Sequence, residues 1–215
     1  FSLVVPREFV ELPSKGRFYP TNHPLYNQEV VEIKHMTAKE EDILTSQALL
    51  RRGLAIDKLL QSLIKNTAIN AQTLLVGDRN AIMIAARISG YGPDYETQVT
   101  CPSCGTQTRQ NFDLSQIAPL DTSTDTSLVT YNAEENLFVT TLPATKVEVG
   151  FRLMRGIEEK NITSQIGSAR KRKTDEHAIT RQLKQLIVTV NGDTNPESVN
   201  YLVQNIPSRD SRHLR

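Results

Sequence analysis

The sequence predicts an α+β protein in which helices from the N- and C-terminal parts of the chain form one bundle, and an inserted small antiparallel β lobe carries a Cys-x-x-Cys knuckle. Three observations predict this class. Apolar residues recur at helical spacing before residue 93 and after residue 156, they alternate with polar residues in between, and prolines interrupt the first 36 residues. The predicted regions are an extended arm (1–36), a helical part (37–93), the β lobe (94–155) and a second helical part that packs on the first (156–215).

The composition is that of a soluble folded protein. The 215 residues carry 25 Lys and Arg against 24 Asp and Glu, a formal net charge of +1, and 38% are hydrophobic. This balance gives no argument for bulk attraction to nucleic acid or membranes, and no apolar run approaches the ~18 residues of a membrane span. Two cysteines are too few for a secreted disulfide framework and favour a reducing compartment. Because the chain starts at Phe1 and stops in a helix-like segment, we expect further residues at both ends.

Prolines and aromatic residues dominate the predicted arm. Proline fixes φ and lacks an amide donor, so only Glu29–Lys34 is predicted to form a strand. The aromatic side chains of the arm have two interpretations: they pack on the chain's own core, or they anchor the arm on a partner subunit. The candidates for such contacts are Phe9, Phe18, Tyr19 and Tyr26.

The helices of the first helical part follow from capping residues and apolar spacing. Thr37 and Glu40 form a capping box that predicts a helix to about Arg51. Two further helices are predicted, one over Asp57–Lys65 and one over Arg79–Ser89 that Asp78 caps and Gly90–Pro93 ends.

The β lobe is predicted from alternation of apolar and polar residues. Two strands, Tyr95–Thr100 and Thr106–Phe112, flank a Cys-Pro-Ser-Cys-Gly turn, and the polar stretch Asp121–Ser127 is predicted to be a loop. Three further strands are predicted over Leu128–Tyr131, Leu137–Leu142 and Lys146–Met154.

In the second helical part, the first predicted helix ends in a run of basic residues. Helices are predicted over Ile157–Lys173 and Asp175–Ile187, with shorter ones from Pro196 and from Ser208. The basic run has two interpretations, a solvated helix face or a contact to an acidic partner or a phosphate backbone. It comprises Arg170, Lys171, Arg172 and Lys173.

Cys101 and Cys104 form the most specific local motif. A Cys-x-x-Cys turn between two strands is typical of a zinc knuckle, in which two thiolates bind one ion. A structural site needs four ligands and this chain supplies one pair, so zinc would need ligands from elsewhere. Two reduced cysteines without metal and a redox pair remain open, although redox motifs usually open a helix rather than a strand.

Four motifs, in their order along the chain, resemble the baseplate hub subunit family of T-even-type contractile-tailed bacteriophages. The resemblance covers nearly the whole chain. The motifs are Leu12–Pro20 with His23–Leu25, Met36–Asp42, Leu74–Asn80 running on to Ala86-Arg87 and Gly90–Gly92, and Tyr95–Gly105.

This resemblance implies a structural tail protein without enzymatic activity, present in several copies of a symmetric assembly. Its expected partners are other phage tail proteins: hub, tape measure, tail tube or baseplate subunits. Its expected location is the virion tail baseplate, after synthesis in the host cytoplasm. The resemblance also implies that a second Cys-x-x-Cys follows a segment like Ser211–Arg215 in many members, which would complete a structural zinc site.

Two other functions remain open. One is an assembly chaperone for the tape-measure or hub protein that is absent from the mature virion. The other is a zinc-ribbon module that binds nucleic acid, which the near-neutral charge does not favour.

Overall fold

The computed structural model describes residues 4–117, 128–172, 174–175 and 177–215. Within them the fold is mixed α and β, with eight α-helices and three small antiparallel sheets, and no described helix could cross a membrane. The chain forms two compact units, each assembled from separate stretches. Unit 1 comprises 1–16, 27–71 and 77–120, and unit 2 comprises 17–26, 72–76 and 121–215.

Unit 1 opens with a two-stranded antiparallel sheet. Strand β1 (Arg7–Glu11) pairs with β2 (Val30–Lys34), which confirms the predicted strand but adds a second one to the predicted arm. Val10, Val31 and Ile33 are buried on this sheet. The arm differs from the prediction because alternating apolar residues give it a face to bury, despite its prolines.

Three helices follow the sheet in unit 1. They are α1 (Ala38–Thr45), α2 (Gln47–Arg51) and α3 (Ala55–Leu63). The predicted capping box is confirmed, but the predicted single helix ends at Thr45. Ser46 breaks it: its backbone is extended, and its hydroxyl accepts a hydrogen bond from the Leu49 amide to cap α2. Leu59, Leu60 and Leu63 bury one face of α3, as its apolar spacing predicts.

Helix α4 (Val76–Tyr91) begins before the predicted cap. Asp78 lies in the first turn of α4 rather than at its N-cap, so that prediction is wrong. The Asp78 carboxylate instead accepts hydrogen bonds from the Ser14 amide (2.9 Å) and hydroxyl (2.5 Å). Asp78 is therefore committed to a contact between stretches that are far apart in sequence.

A β-hairpin follows α4 in unit 1. Strand β3 (Asp94–Thr100) pairs with β4 (Gln107–Asp113) from Asp94 opposite Asp113 to Thr100 opposite Gln107. Both strands match the predicted ones within a residue or two.

Unit 2 contains a four-stranded antiparallel sheet in the order β5-β6-β7-β8. The predicted loop Asp121–Ser127 lies outside the described residues. The first three strands confirm the predicted alternation, whereas the fourth was not predicted, because its first residue was assigned to the end of a helix and the others to no element. The strands are β5 (Val129–Asn132), β6 (Leu137–Thr141), β7 (Glu148–Phe151) and β8 (Ile187–Val190).

Four helices complete unit 2. They are α5 (Gly156–Arg172), α6 (Ala178–Leu186), α7 (Pro196–Asn205) and α8 (Ser208–His213). Leu183 of α6 and Leu202 of α7 pack with Val149 of β7 in one buried cluster. These helices therefore cover their own sheet, and the predicted bundle of N- and C-terminal helices remains a prediction.

Candidate functional site

Cys101 and Cys104 lie at the tip of the β3–β4 hairpin, as predicted. The Cys101 amide donates to the Thr106 carbonyl (2.9 Å), and the Gly105 amide donates to the Cys101 carbonyl (2.9 Å). Gly105 has φ +72°, a left-handed conformation that glycine adopts without the steric strain of a Cβ. The turn is therefore tight enough to hold the two cysteines side by side.

The two cysteines are free thiols with different exposure. Cys101 is half-buried and Cys104 is exposed, with its Sγ 3.2 Å from Oγ1 of Thr106. Hydrogen bonds from the Thr106 side chain and backbone and from the Cys101 thiol lower the pKa of Cys104 from 9.0 to about 7. The thiolate is the form of cysteine that binds metal, and these hydrogen bonds favour it.

The donor set at the hairpin tip is chemically suited to zinc but incomplete. A structural zinc site takes four thiolate or imidazole ligands in a tetrahedron. Across the described part of the chain, no group of three or more His, Cys, Asp or Glu side chains is placed to hold one metal ion. The tip supplies two ligands, and zinc binding stays a prediction.

The four aromatic candidates of the N-terminal segment have different environments. The Tyr19 side chain is 2% exposed, and its hydroxyl accepts a hydrogen bond from the Leu75 amide (3.0 Å). Phe18 packs on the Tyr131 and Phe138 rings, with centroids 5.2 and 5.1 Å away. Tyr19 and Phe18 therefore pack on the chain's own core, the first of the two interpretations of the arm's aromatic residues.

Phe9 and Tyr26 remain available to a partner. Phe9 is 70% exposed on β1, and Tyr26 is 37% exposed. Phe9 is the more exposed of the two, so it is the stronger candidate for a contact with a partner.

A cavity of about 520 Å³ in unit 2 was not predicted. Tyr19 and His23 form part of its wall, with their rings stacked 4.3 Å apart. Nε2 of His23 lies 2.9 Å from Oγ1 of Thr73, and burial together with the positive charge of Arg155 lowers the His23 pKa. The histidine is therefore neutral at neutral pH. The cavity lining comes from stretches far apart in sequence, so no local sequence pattern indicates the cavity.

The basic residues end α5 in unit 2. Arg170, Lys171 and Arg172 are exposed in its last turn, and Lys173 lies outside the described residues. Cations near a helix C-terminus interact favourably with the helix dipole, which is the expectation for a solvated face.

One residue of the basic run, Arg172, also lines a groove of about 510 Å³ between α5 and α6. Arg172, Arg181 and Lys184 line it together with the hydroxyls of Ser164 and Ser168. Three cations beside hydroxyl groups suit an acidic segment or a phosphate, so the interpretation as a contact site also remains open.

Comparison with protein-family models gives a match over most of the chain. A family model described as T4 bacteriophage base plate protein matches residues 7–210. No curated protein and no solved structure matches the chain. The matched range begins at β1 and extends into α8, so it includes both compact units, the cysteine hairpin and the basic groove.

Proposed function

Because this chain belongs to the T4 bacteriophage base plate protein family, we propose that it is a structural subunit of the central hub region, where it contacts other tail proteins. The family supports a location in the tail baseplate and a structural rather than enzymatic role. The hub position rests on the four motifs that resemble hub subunits. Hub, tape-measure, tail-tube and baseplate proteins are the proposed neighbours, with several copies in a symmetric assembly.

The observation that best supports a role in contacts is the exposure of the β3–β4 hairpin. Every strand residue is exposed except Thr97, which is half-buried. Tyr95 lies opposite Phe112 and four residues from Val99 along β3, so these three exposed apolar side chains share one face. An isolated two-stranded hairpin is marginally stable in water, and covering this face with a neighbouring subunit would stabilise it.

The hairpin face gives a direct test of incorporation. In the phage that encodes this chain, Tyr95→Ser with Phe112→Ser should lower the copies of the subunit per virion about tenfold or more. Glu96→Gln with Asn111→Ser, a matched pair on the opposite face, should leave incorporation unchanged. Quantitative mass spectrometry of purified virions measures both, with the unfolding transitions of the purified variants as a check on folding. Normal incorporation of the first variant would reject this face as a contact.

The same particles separate the hub subunit from the two alternatives. Cryo-EM of intact virions should place copies on the tail axis in the baseplate. An assembly chaperone would be found in assembling tails and be missing from virions. A nucleic-acid-binding module acting through the α5–α6 groove would give salt-sensitive gel shifts that Arg181→Ala with Lys184→Ala removes.

A further inference from the structure

The β1–β2 sheet of unit 1 has one covered edge and one open edge. On the β2 side, the Lys65 amide donates to the Glu32 carbonyl (3.0 Å), and Ile33 forms a β-bridge with Ile64. Among the described residues, no protein group pairs with the other side of β1. The open edge therefore presents unpaired backbone donors and acceptors, which can pair with a further strand.

The pairing with β2 decides which backbone groups of β1 point outwards. The Leu12 amide donates to the Glu29 carbonyl (2.8 Å), and the His35 amide donates to the Pro6 carbonyl (3.0 Å), just beyond the two ends of β1. Because hydrogen-bonded residues alternate along an antiparallel strand, every second residue of β1 directs its backbone groups away from β2. The open edge thus consists of the backbone groups of Arg7, Phe9 and Glu11.

Strand β1 lacks the features that usually protect an open edge. Native sheets often carry prolines, lysines or β-bulges on their edge strands, and these prevent pairing with other chains. The sequence of β1, Arg-Glu-Phe-Val-Glu, has no proline or lysine, and its pairing with β2 runs without a register shift. The edge is therefore regular, and the exposed Phe9 lies at its centre.

The side chains along β1 are complementary to those of a second β1 in the antiparallel direction. With Phe9 at the centre, Arg7 of each strand lies opposite Glu11 of the other, and the two Phe9 rings lie opposite each other. Opposite charges and aromatic pairs at such positions stabilise a sheet, whereas like charges destabilise it. Parallel pairing would place Arg7 beside Arg7 and Glu11 beside Glu11. The charge pattern therefore favours an antiparallel second copy of β1 as the strand that fits this edge.

We propose that β1 pairs with β1 of a second copy about a two-fold axis at Phe9, which joins two β1–β2 sheets into one sheet of four strands. About six backbone hydrogen bonds would form between the copies, two at each pair of outward-facing residues. This contact buries little surface, so we expect a weak dimer in solution that the presence of several copies in one assembly strengthens. It is separate from the hairpin face of the proposed function and does not depend on where the subunit lies in the tail.

Two charge reversals test this pairing in the complete gene product. Glu11→Arg places arginines opposite each other at both ends of the contact, and Arg7→Glu places glutamates there. Each variant alone should raise the dimer dissociation constant at least tenfold. An equimolar mixture of the two variants should form heterodimers about as tightly as the wild type dimerises, because both end pairs then carry opposite charges. Analytical ultracentrifugation measures the dissociation constants, and native mass spectrometry identifies the heterodimer.

The aromatic pair has a matched control on the neighbouring strand. Phe9→Ser should weaken the dimer at least tenfold. Val30→Ser removes an exposed apolar side chain from the same face of the sheet, but from β2, and should leave the dissociation constant unchanged.

Hydrogen exchange tests the pairing without any substitution. The amides of Arg7, Phe9 and Glu11 should exchange severalfold more slowly as the concentration of the wild-type protein rises. The amides of Glu8 and Val10 point towards β2, so their exchange should not depend on concentration in this way.

A wild-type protein that stays monomeric at about 1 mM would overturn the proposal. A dimer that neither charge reversal weakens would also overturn it, because that dimer would use another surface. These results come from purified protein and do not bear on incorporation into virions. Conversely, the absence of copies from virions would reject the tail location and leave this dimer standing.

Discussion

Glu40 is fully buried, and its carboxylate accepts hydrogen bonds from Lys34 Nζ (2.8 Å) and the Ser62 hydroxyl (2.6 Å). The Thr37 amide and hydroxyl donate to its other oxygen. Burial alone would raise the pKa of Glu40, but these hydrogen bonds outweigh it and lower the pKa from 4.5 to about 2. One side chain thus joins β2, α1 and α3 in unit 1.

Glu40→Gln tests this contact through pH. The charge of Glu40 stabilises the fold fully above pH 4.5, and this contribution is lost as the pH falls from about 4.5 to about 2. We expect the variant to lose about 1–3 kcal/mol of unfolding free energy at pH 7 and the difference from wild type to shrink steadily below pH 4.5. Urea unfolding at several pH values measures this.

The matched control for this substitution is Glu41→Gln. Glu41 is the exposed neighbour in the same turn of α1, so its substitution should change stability by no more than about 0.5 kcal/mol. A constant difference between Glu40→Gln and wild type from pH 7 to pH 2 would contradict the assigned pKa.

Single residues were predictable from the sequence when their partners are local. The bond of Glu40 to Thr37 follows from a spacing of three residues, which the capping-box motif encodes. The bonds of Asp78 to Ser14 join residues 64 positions apart, and no local pattern reports them. The sequence therefore predicted that the Asp78 carboxylate caps a helix, whereas it accepts hydrogen bonds from Ser14.

At the scale of elements, β7 and β8 approach closely at one glycine. Gly150 lies opposite Thr189, and a Cβ at Gly150 would overlap with the Thr189 hydroxyl while lying 3.4 Å from Thr189 Cβ. The strand pair therefore depends on the absence of a side chain at this position.

Gly150→Ala should destabilise unit 2 by about 1–3 kcal/mol, because Thr189 must rotate or the strands must separate. Thr189→Ala in the same chain removes the overlapping hydroxyl and should restore most of that loss. Thermal and urea unfolding of the two single variants and the double variant give the coupling free energy. Additive effects in the double variant would show that the close contact is not the cause.

Elements with a distinct period were predictable, and those that depend on tertiary pairing were not. The alternation in residues 94–113 and 146–154 predicted strands that are present. Strand β8 follows directly on α6, so its first residue, Ile187, was assigned to the predicted helix Asp175–Ile187, and the next three residues were assigned to no element. Its composition, Ile-Val-Thr-Val, is β-branched throughout and was the overlooked signal.

The cysteine turn was placed correctly because its spacing is local. The cavity beside His23 could not be found in the same way, because its walls come from stretches between residues 18 and 188.

At the scale of the whole molecule, the chain passes between the two units five times. Unit 2 takes residues 17–26 and 72–76 from within the part of the chain that otherwise builds unit 1. These short stretches contribute to its core and backbone pairing: the Val76 amide donates to the Met154 carbonyl, and the Gly156 amide donates to the Leu74 carbonyl, both at 2.9 Å.

A fragment of residues 121–215 should therefore not fold cooperatively on its own, although it contains the whole four-stranded sheet. It lacks the buried Tyr19, Leu25 and Leu74. We expect it to show a broad thermal transition and a poorly dispersed NMR spectrum, and co-expression with residues 1–120 to restore a dispersed one. A sharp transition of the fragment alone would show that the short stretches are dispensable.

This repeated passage of the chain has a consequence for how such genes change. A single recombination event between two divergent relatives, wherever it falls in residues 17–120, joins segments from different parents within at least one hydrophobic core. Proteins whose domains follow one another in sequence tolerate exchange of whole domains by recombination. In this chain, the same exchange would bring together core residues from different parents that do not pack well. The coding region should therefore be inherited as one block, with divergence accumulating by compensated point substitutions.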